Sequence, residues 1–377
     1  MTPPWIHGGV SARALARRAA LICVAVFALL AARAAPAPAA HEPVGDCSPG
    51  YEQVRDVDLE TFFDGKQNLT ICLTGNLSAP PDFNVRWSNM RHVTVRSAPG
   101  TWRAIRSRIW IDDTSSEVTL YGLTLDAGDF TAEAGATGLA INADGVNLSR
   151  NSITNRYGLA GSCINSDAAY GVASNLKIAA NRIFDCGRDE THDHGIYTNA
   201  MDQPVIRANW IYENAGRGIN LGPSTQGATV YRNVIADNCA NPLGGVNDCS
   251  GNVMFWGSTS GTTVEGNTLA HPHERWNLAG CDDATGTNDD CRMWTGASNS
   301  VTSNCFVSRN QGYEGDPAGS GISPGFAGKY AVVSGVTVAG PQFRNRVWPV
   351  HANRDYTVLN GACEANQPQQ AVGPPAP

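Results

Sequence analysis

Short apolar–polar alternations separated by asparagine recur along the chain. Val146-Asn-Leu-Ser-Arg-Asn151-Ser-Ile153, Leu176-Lys-Ile-Ala-Ala-Asn181-Arg-Ile183 and Val205-Ile-Arg-Ala-Asn209-Trp-Ile211 superpose. Val230-Tyr-Arg-Asn233-Val-Ile235, Val264-Glu-Gly-Asn267-Thr-Leu269 and Val301-Thr-Ser-Asn304-Cys-Phe306 continue the series, and Val118 to Leu125 is a degenerate member with Gly122 in the asparagine's place. Successive turn positions lie 29, 30, 28, 24, 34 and 37 residues apart, the range of a solenoid repeat. Period-two strands broken by a sharp turn predict β-structure, not a helical repeat. Asparagine tolerates the left-handed conformation a tight turn asks for, and stacked turns would let its side chains bond from coil to coil.

A third short strand lies between the repeats and carries Gly-Ile-like pairs. These are Cys163-Ile164, Gly195-Ile196 and Gly218-Ile219, with looser versions at Gly138-Leu139 and Arg292-Met293. Three short strands per turn define an all-β, single-stranded parallel β-helix whose coils rise ~4.8 Å each. An open coil end exposes unpaired backbone. The apolar positions of residues 50–65 among acidic ones therefore predict a capping helix or strand. The expected organisation is a secretory signal over 1–40, a cap region over 41–84, one β-helix domain over 85–363 and a disordered Pro/Gln tail over 364–377.

Composition sharpens this picture. The chain has 377 residues, 40 of them Gly, with 27 Lys+Arg against 34 Asp+Glu. Arg13, Arg17 and Arg18 precede an apolar run from Ala19 to Ala32, too short to span a bilayer comfortably, and a small-residue cleavage site before His41. Without residues 1–40 the chain keeps 23 basic and 34 acidic side chains, net −11. That balance argues against nucleic acid as a partner. It admits an acidic polysaccharide if a local basic cluster or a cation overcomes the repulsion. The expected product is a secreted monomer with no membrane attachment after signal cleavage.

Ten cysteines remain after the signal: Cys47, Cys72, Cys163, Cys186, Cys239, Cys249, Cys281, Cys291, Cys305 and Cys363. An even number in an exported protein suggests disulfides, and sequential pairing is the expectation. No CxxC pair points to a metal site.

The repeat resembles the right-handed parallel β-helix proteins of the pectate-lyase-like superfamily, which tend to place asparagine between the second and third strands. Gly340-Pro-Gln-Phe343 and Asp355-Tyr-Thr-Val-Leu-Asn-Gly361 are similar to the closing coil of secreted members. The resemblance implies that the Gly-Ile strand is the first strand and lines a carbohydrate cleft.

The densest polar cluster enters that strand: Arg188-Asp-Glu190-Thr-His192-Asp193-His194-Gly-Ile-Tyr197. Registering Ile196 on Ile219 sets His194 beside Arg217, and registering it on Ile164 sets it beside Ser162. Imidazole, carboxylate and guanidinium together suit proton abstraction at C5 of a uronic acid. In that chemistry Arg217 neutralises the substrate carboxylate and His194 is the base. Asp193 or Glu190 orients it or holds a cation, with Ca²⁺ the candidate, and His192 or Tyr197 returns a proton. The pair is similar to the Asp-Pro-His-Asp motif of mannuronan C5-epimerases, although the order here is Thr191-His192-Asp193-His194 without proline. Arg188, Glu190, Trp210, Tyr212, Trp256, His273 and Trp294 are candidate substrate contacts, Trp210 by outward alternation. The expected function is a lyase or C5-epimerase on an acidic polysaccharide. A glycoside hydrolase using Asp193 with Asp167 or Asp202 is one alternative, and a non-catalytic glycan-binding protein is another.

Overall fold

The computed structural model describes residues 47–80, 84–129, 137–159, 161–166, 168–188, 192–240, 249, 251–256, 259–270, 276–280 and 298–307. It also describes the backbone of strands Ser320–Ile322, Val332–Ser334, Val336–Ala339 and Tyr356–Leu359. The chain winds through three sheets in turn. Leu139–Ile141 lies in the first, Asn147–Ser149 in the second and Ser152–Thr154 in the third, and Ile164–Asn165 returns to the first, one coil further on. Among the described residues the first sheet has nine strands and the other two have eleven each, every neighbour parallel. A two-stranded sheet, Ala173–Ser174 with Met201–Asp202, sits between them.

The period-two pattern decides which residues face in. In the first sheet Val85, Ile109, Leu139, Ile164, Ile196, Ile219, Val253 and Leu278 stack in register. All are buried and belong to one continuous apolar core. Each coil supplies only one or two such residues per sheet, as Ile109 and Ile111 do, so no coil can bury its apolar face alone and stability comes from stacking.

At the corner between the second and third sheets the asparagines form a ladder. The backbone N–H groups of Asn151, Asn181, Asn209, Asn233 and Asn267 each donate to Oδ1 of the next asparagine at 2.8–2.9 Å, ending at Asn304. Each Nδ2 also donates to a carbonyl of the preceding coil, as Asn209 does to Ile178 at 2.9 Å. All six are buried. The left-handed residue differs from expectation. It precedes the asparagine, with φ +55° at Arg150, +56° at Ala180, +52° at Ala208, +53° at Arg232 and +54° at Ser303. Asparagine is needed for its amide, which serves two coils, and not for its backbone freedom. Gly122, φ +64°, therefore aligns with Arg150, and Leu123 takes the asparagine's place, its N–H donating to Asn151 Oδ1 at 3.0 Å.

A second ladder runs inside the turn from third to first sheet. Asn214 Nδ2 donates to Asn238 Oδ1 at 2.7 Å, Asn238 to Asn252 at 2.8 Å, and Asn252 to Asn277 at 2.8 Å. It explains the Gly-Ile pairs. A Cβ on Gly195 would lie 2.9 Å from Asn214 Nδ2 and 2.7 Å from the Gly218 carbonyl, so only glycine lets the strand pass this close.

The winding begins earlier than position 85. Gln67–Leu73 already pairs with Arg91–Ser97 in the second sheet, and Leu77–Ser78 pairs with Arg103–Arg106 in the third. Ahead of these, both a strand, Glu52–Val54, and a helix, Leu59–Phe63, are present. Asp58 caps the helix by accepting from the backbone N–H groups of Glu60 and Thr61. Phe63 stacks on Trp87 at 4.4 Å, closing the core from below. In the first sheet Val253 is followed by Leu278 and then Ile322, and the Arg292-Met293 pair lies outside the described residues. Among the described residues disulfides join Cys47–Cys72, Cys163–Cys186 and Cys239–Cys249, as sequential pairing expects, and Cys305 is also disulfide-bonded. Cys281, Cys291 and Cys363 lie outside the described residues, as do the signal and the tail. Among the described residues no helix is long and apolar enough to cross a membrane.

Candidate functional site

The polar cluster sits where the repeat is interrupted, between the third-sheet strand Arg182–Phe184 and the first-sheet strand Ile196–Tyr197. Cys186 is tied to Cys163 of the preceding coil. Gly187 then turns with φ +82°, and a Cβ there would lie 2.1 Å from that of Asp193. Asp193 Oδ2 accepts the Arg188 backbone N–H at 2.7 Å and closes the excursion. Ile196 pairs with Ile164 on one side and Ile219 on the other, so His194 falls between Ser162 and Arg217. Its backbone N–H donates to Ser162 Oγ at 3.0 Å, and its Nδ1 accepts the Arg217 backbone N–H at 3.2 Å.

The imidazole is neutral. Burial pushes its pKa well below the usual value, and the charges of Arg217 and His192 push the same way. With Nδ1 accepting, the ring proton resides on Nε2. Nε2 lies 2.9 Å from the Asn220 side-chain amide. Amide oxygen and nitrogen are interchangeable in position, and the orientation that serves Nε2–H puts the carbonyl oxygen there.

Adjacency and access differ. His194 is 1% exposed, and Asp193 and Arg217 are buried with it. His192 is exposed and Arg188 and Tyr197 are half-buried. Tyr197 stands edge-on to the imidazole at 5.5 Å. The groups that reach solvent are thus His192, Tyr197 and Arg188, with His194, Asp193 and Arg217 beneath them. Trp210 and Tyr212 do point outward, but from the third sheet. Trp256 follows the first-sheet strand Gly251–Phe255 and packs on Met254. Asp202 lies in the short accessory strand. Glu190, His273, Trp294 and Asp167 lie outside the described residues. As for Ca²⁺, no three His, Cys, Asp or Glu side chains converge among the described residues, and Asp193 spends an oxygen on Arg188. Glu190, the other carboxylate expected to hold a cation, is not among those described residues.

Sequence reasoning missed the first-sheet face nearer the N-terminus. Its outward column runs Arg86, Trp110, Ala140, Asn165 and Tyr197 on successive coils. The first is exposed and the others half-buried, whereas Asn220, Met254 and Ala279 beyond them are buried. Trp110 meets Tyr170, 55% exposed, at 5.0 Å. Arg86 lies over the Trp110 ring at 4.6 Å and bonds Asp112 at 2.7 Å. Burial works to raise the Asp112 pKa, but hydrogen bonds from Thr114, Ser88 and Arg86 outweigh it and hold the carboxyl low. The alternation Arg108-Ile-Trp-Ile111 was the available signal.

Parallel coils, three sheets and an asparagine corner define a right-handed parallel β-helix. Residues 85–269 match the family model described as right handed beta helix region. The described residues form a right-handed parallel β-helix. Solved structures similar to it include pectate lyase Pel9A, at 9% identity and TM-score 0.46 over 71% of this chain and 69% of that one. The mannuronan C-5 epimerase AlgE4 A-module of Azotobacter vinelandii matches at 13% and 0.38, over 72% and 85%. Pectate lyase Bsp165PelA from Bacillus sp. N165, in complex with trigalacturonate, matches at 10% and 0.39, over 71% and 81%. No curated protein sequence matches. Identities this low carry no activity across, because one scaffold hosts many chemistries.

Proposed function

We propose that the protein is a secreted, carbohydrate-active β-helix protein that lays a uronic-acid-containing polysaccharide along the first sheet and acts on it by lyase or C5-epimerase chemistry. One observation carries this reading: the open column that runs from Arg86 and Trp110 to Tyr197. Trp110 and Tyr197 are three coils apart, ~14 Å at the usual strand spacing, which is room for a few sugar units. The Trp110–Tyr170 pair offers ring faces for stacking. His192 and Tyr197, at the other end, are the groups positioned to take and return the C5 proton. In elimination that proton leaves, the C4–O4 bond breaks and a C4–C5 double bond forms. In epimerisation the proton returns on the opposite face. His194 and Arg217 are positioning residues here, since both are buried. Export agrees with the apolar leader and the disulfides.

Purified protein incubated with polygalacturonate, polymannuronate and glucuronate polymers tests this. Unsaturated ends seen by ultraviolet absorbance, or inverted residues seen by NMR, are expected, with a loss of at least tenfold in His192→Ala and Tyr197→Phe. No turnover of any polymer rejects the enzyme. The burial of His194, Asp193 and Arg217 favours the second reading, a glycan-binding protein, which predicts binding without turnover.

A further inference from the structure

Away from the first sheet, the asparagine corner carries a strip of arginine. Arg96, Arg150, Arg182, Arg207 and Arg232 all fall within two residues of that corner. No Asp or Glu occupies any position in the same window from Tyr121 to Val234, and the first is Glu265, one coil beyond Tyr231. Aromatic rings interleave with the cations. Arg96 and Arg150 lie 5.2 and 5.8 Å from the Tyr121 ring, Arg182 lies 5.1 Å from Trp210, and Arg207 Nη1 is 3.5 Å from the Tyr231 hydroxyl. Trp210 is 37% exposed, and Arg207 and Arg232 are exposed.

A chain with net charge −11 past its leader has no general reason to gather five cations and no anion on one edge. The coil stack spaces them along five intervals, ~24 Å at the usual strand spacing. We infer that this edge is a second docking strip, separate from the first-sheet site, for a single polyanionic glycan chain bearing about one carboxylate per sugar. The charge spacing selects the partner. Arginines one or two coils apart match a uronate chain, one of whose units is about as long as one coil rise. Duplex nucleic acid presents a charge every ~1.7 Å and meets a strip this sparse poorly. Tyr121, Trp210 and Tyr231 offer ring faces and edges to the sugars, and guanidinium forks pair with carboxylates. The inference shares its ligand class with the proposed function but not its site or its chemistry.

The test is calorimetric titration of the full chain with a galacturonate hexamer and a mannuronate hexamer at low and at physiological salt. A duplex oligonucleotide of equal charge runs in parallel. Binding of an oligouronate that weakens with salt is expected. The pair Arg207→Gln with Arg232→Gln should weaken it about tenfold, as expected for two exposed charge contacts, and Arg→Lys at the same positions should restore most of it. Unchanged affinity in the double Gln variant overturns the inference, as does tighter binding of the oligonucleotide. Oligouronate binding at the corner without turnover sinks the proposed enzyme and leaves the strip standing. Turnover with no effect of the corner variants does the reverse.

Discussion

Two corners of the coil stack carry buried asparagine, and they behave differently. Between the second and third sheets, six asparagines repeat one bonding scheme from Asn151 to Asn304 without interruption. At the turn into the first sheet the scheme is broken. Asn155 takes the Gly187 N–H and Asn214 takes the Cys186 N–H, and between these coils the chain departs through Gly187 to Asp193 and returns at His194. The regular corner leaves room only for outward-facing side chains. The broken corner makes room for titratable groups, and a disulfide and an asparagine ladder hold its ends. Regularity stabilises, and the interruption collects chemistry.

Breaking the regular corner should cost most. Asn209→Leu removes the acceptor for Asn181 N–H and Nδ2 and the donors to Ile178 and Asn233. With several buried groups left unpaired at ~1–3 kcal/mol each, a loss of about 4 kcal/mol is expected from the urea midpoint. Opening the broken corner by replacing both Cys163 and Cys186 with Ala should cost ~2–4 kcal/mol, the usual worth of such a link. That cost should appear mainly as faster proteolysis between 187 and 193. Gly187→Ala meets both a positive φ and the Asp193 side chain. It should cost ~1–3 kcal/mol and loosen the same segment, seen as faster hydrogen exchange at Arg188 N–H.

The smallest effect concerns pH. His194 has a folded pKa below its unfolded value, so the unfolded chain takes up the proton first. Stability due to this group is complete above about pH 6.5 and falls as the pH drops toward the folded value, by at most ~1.4 kcal/mol per unit. The difference in urea midpoint between wild type and His194→Gln should therefore vary with pH below 6.5 and be flat above it. A difference that varies only above 6.5 would mean the imidazole is charged in the fold.

The solenoid, the order of sheets and the His194–Arg217 adjacency were readable because they follow from periodicity. An apolar residue every second position and an asparagine at each corner permit one stacking register, and register sets neighbours. The offset at Gly122 was misread because a turn glycine and a ladder asparagine both look like turn residues until the hydrogen bonds are placed. The second ladder escaped notice because Asn214, Asn238, Asn252 and Asn277 follow no constant spacing. The arginine strip is in plain view of the sequence once the corner is aligned.

Sequence alone determined the coil, its register and the chemical types gathered at each corner, since these depend on residues a fixed step apart. Tertiary structure alone decided which gathered groups meet water. Burial of His194, Asp193 and Arg217, and exposure of the Arg86–Tyr197 face, depend on what the interruptions between repeats cover, and no period encodes that.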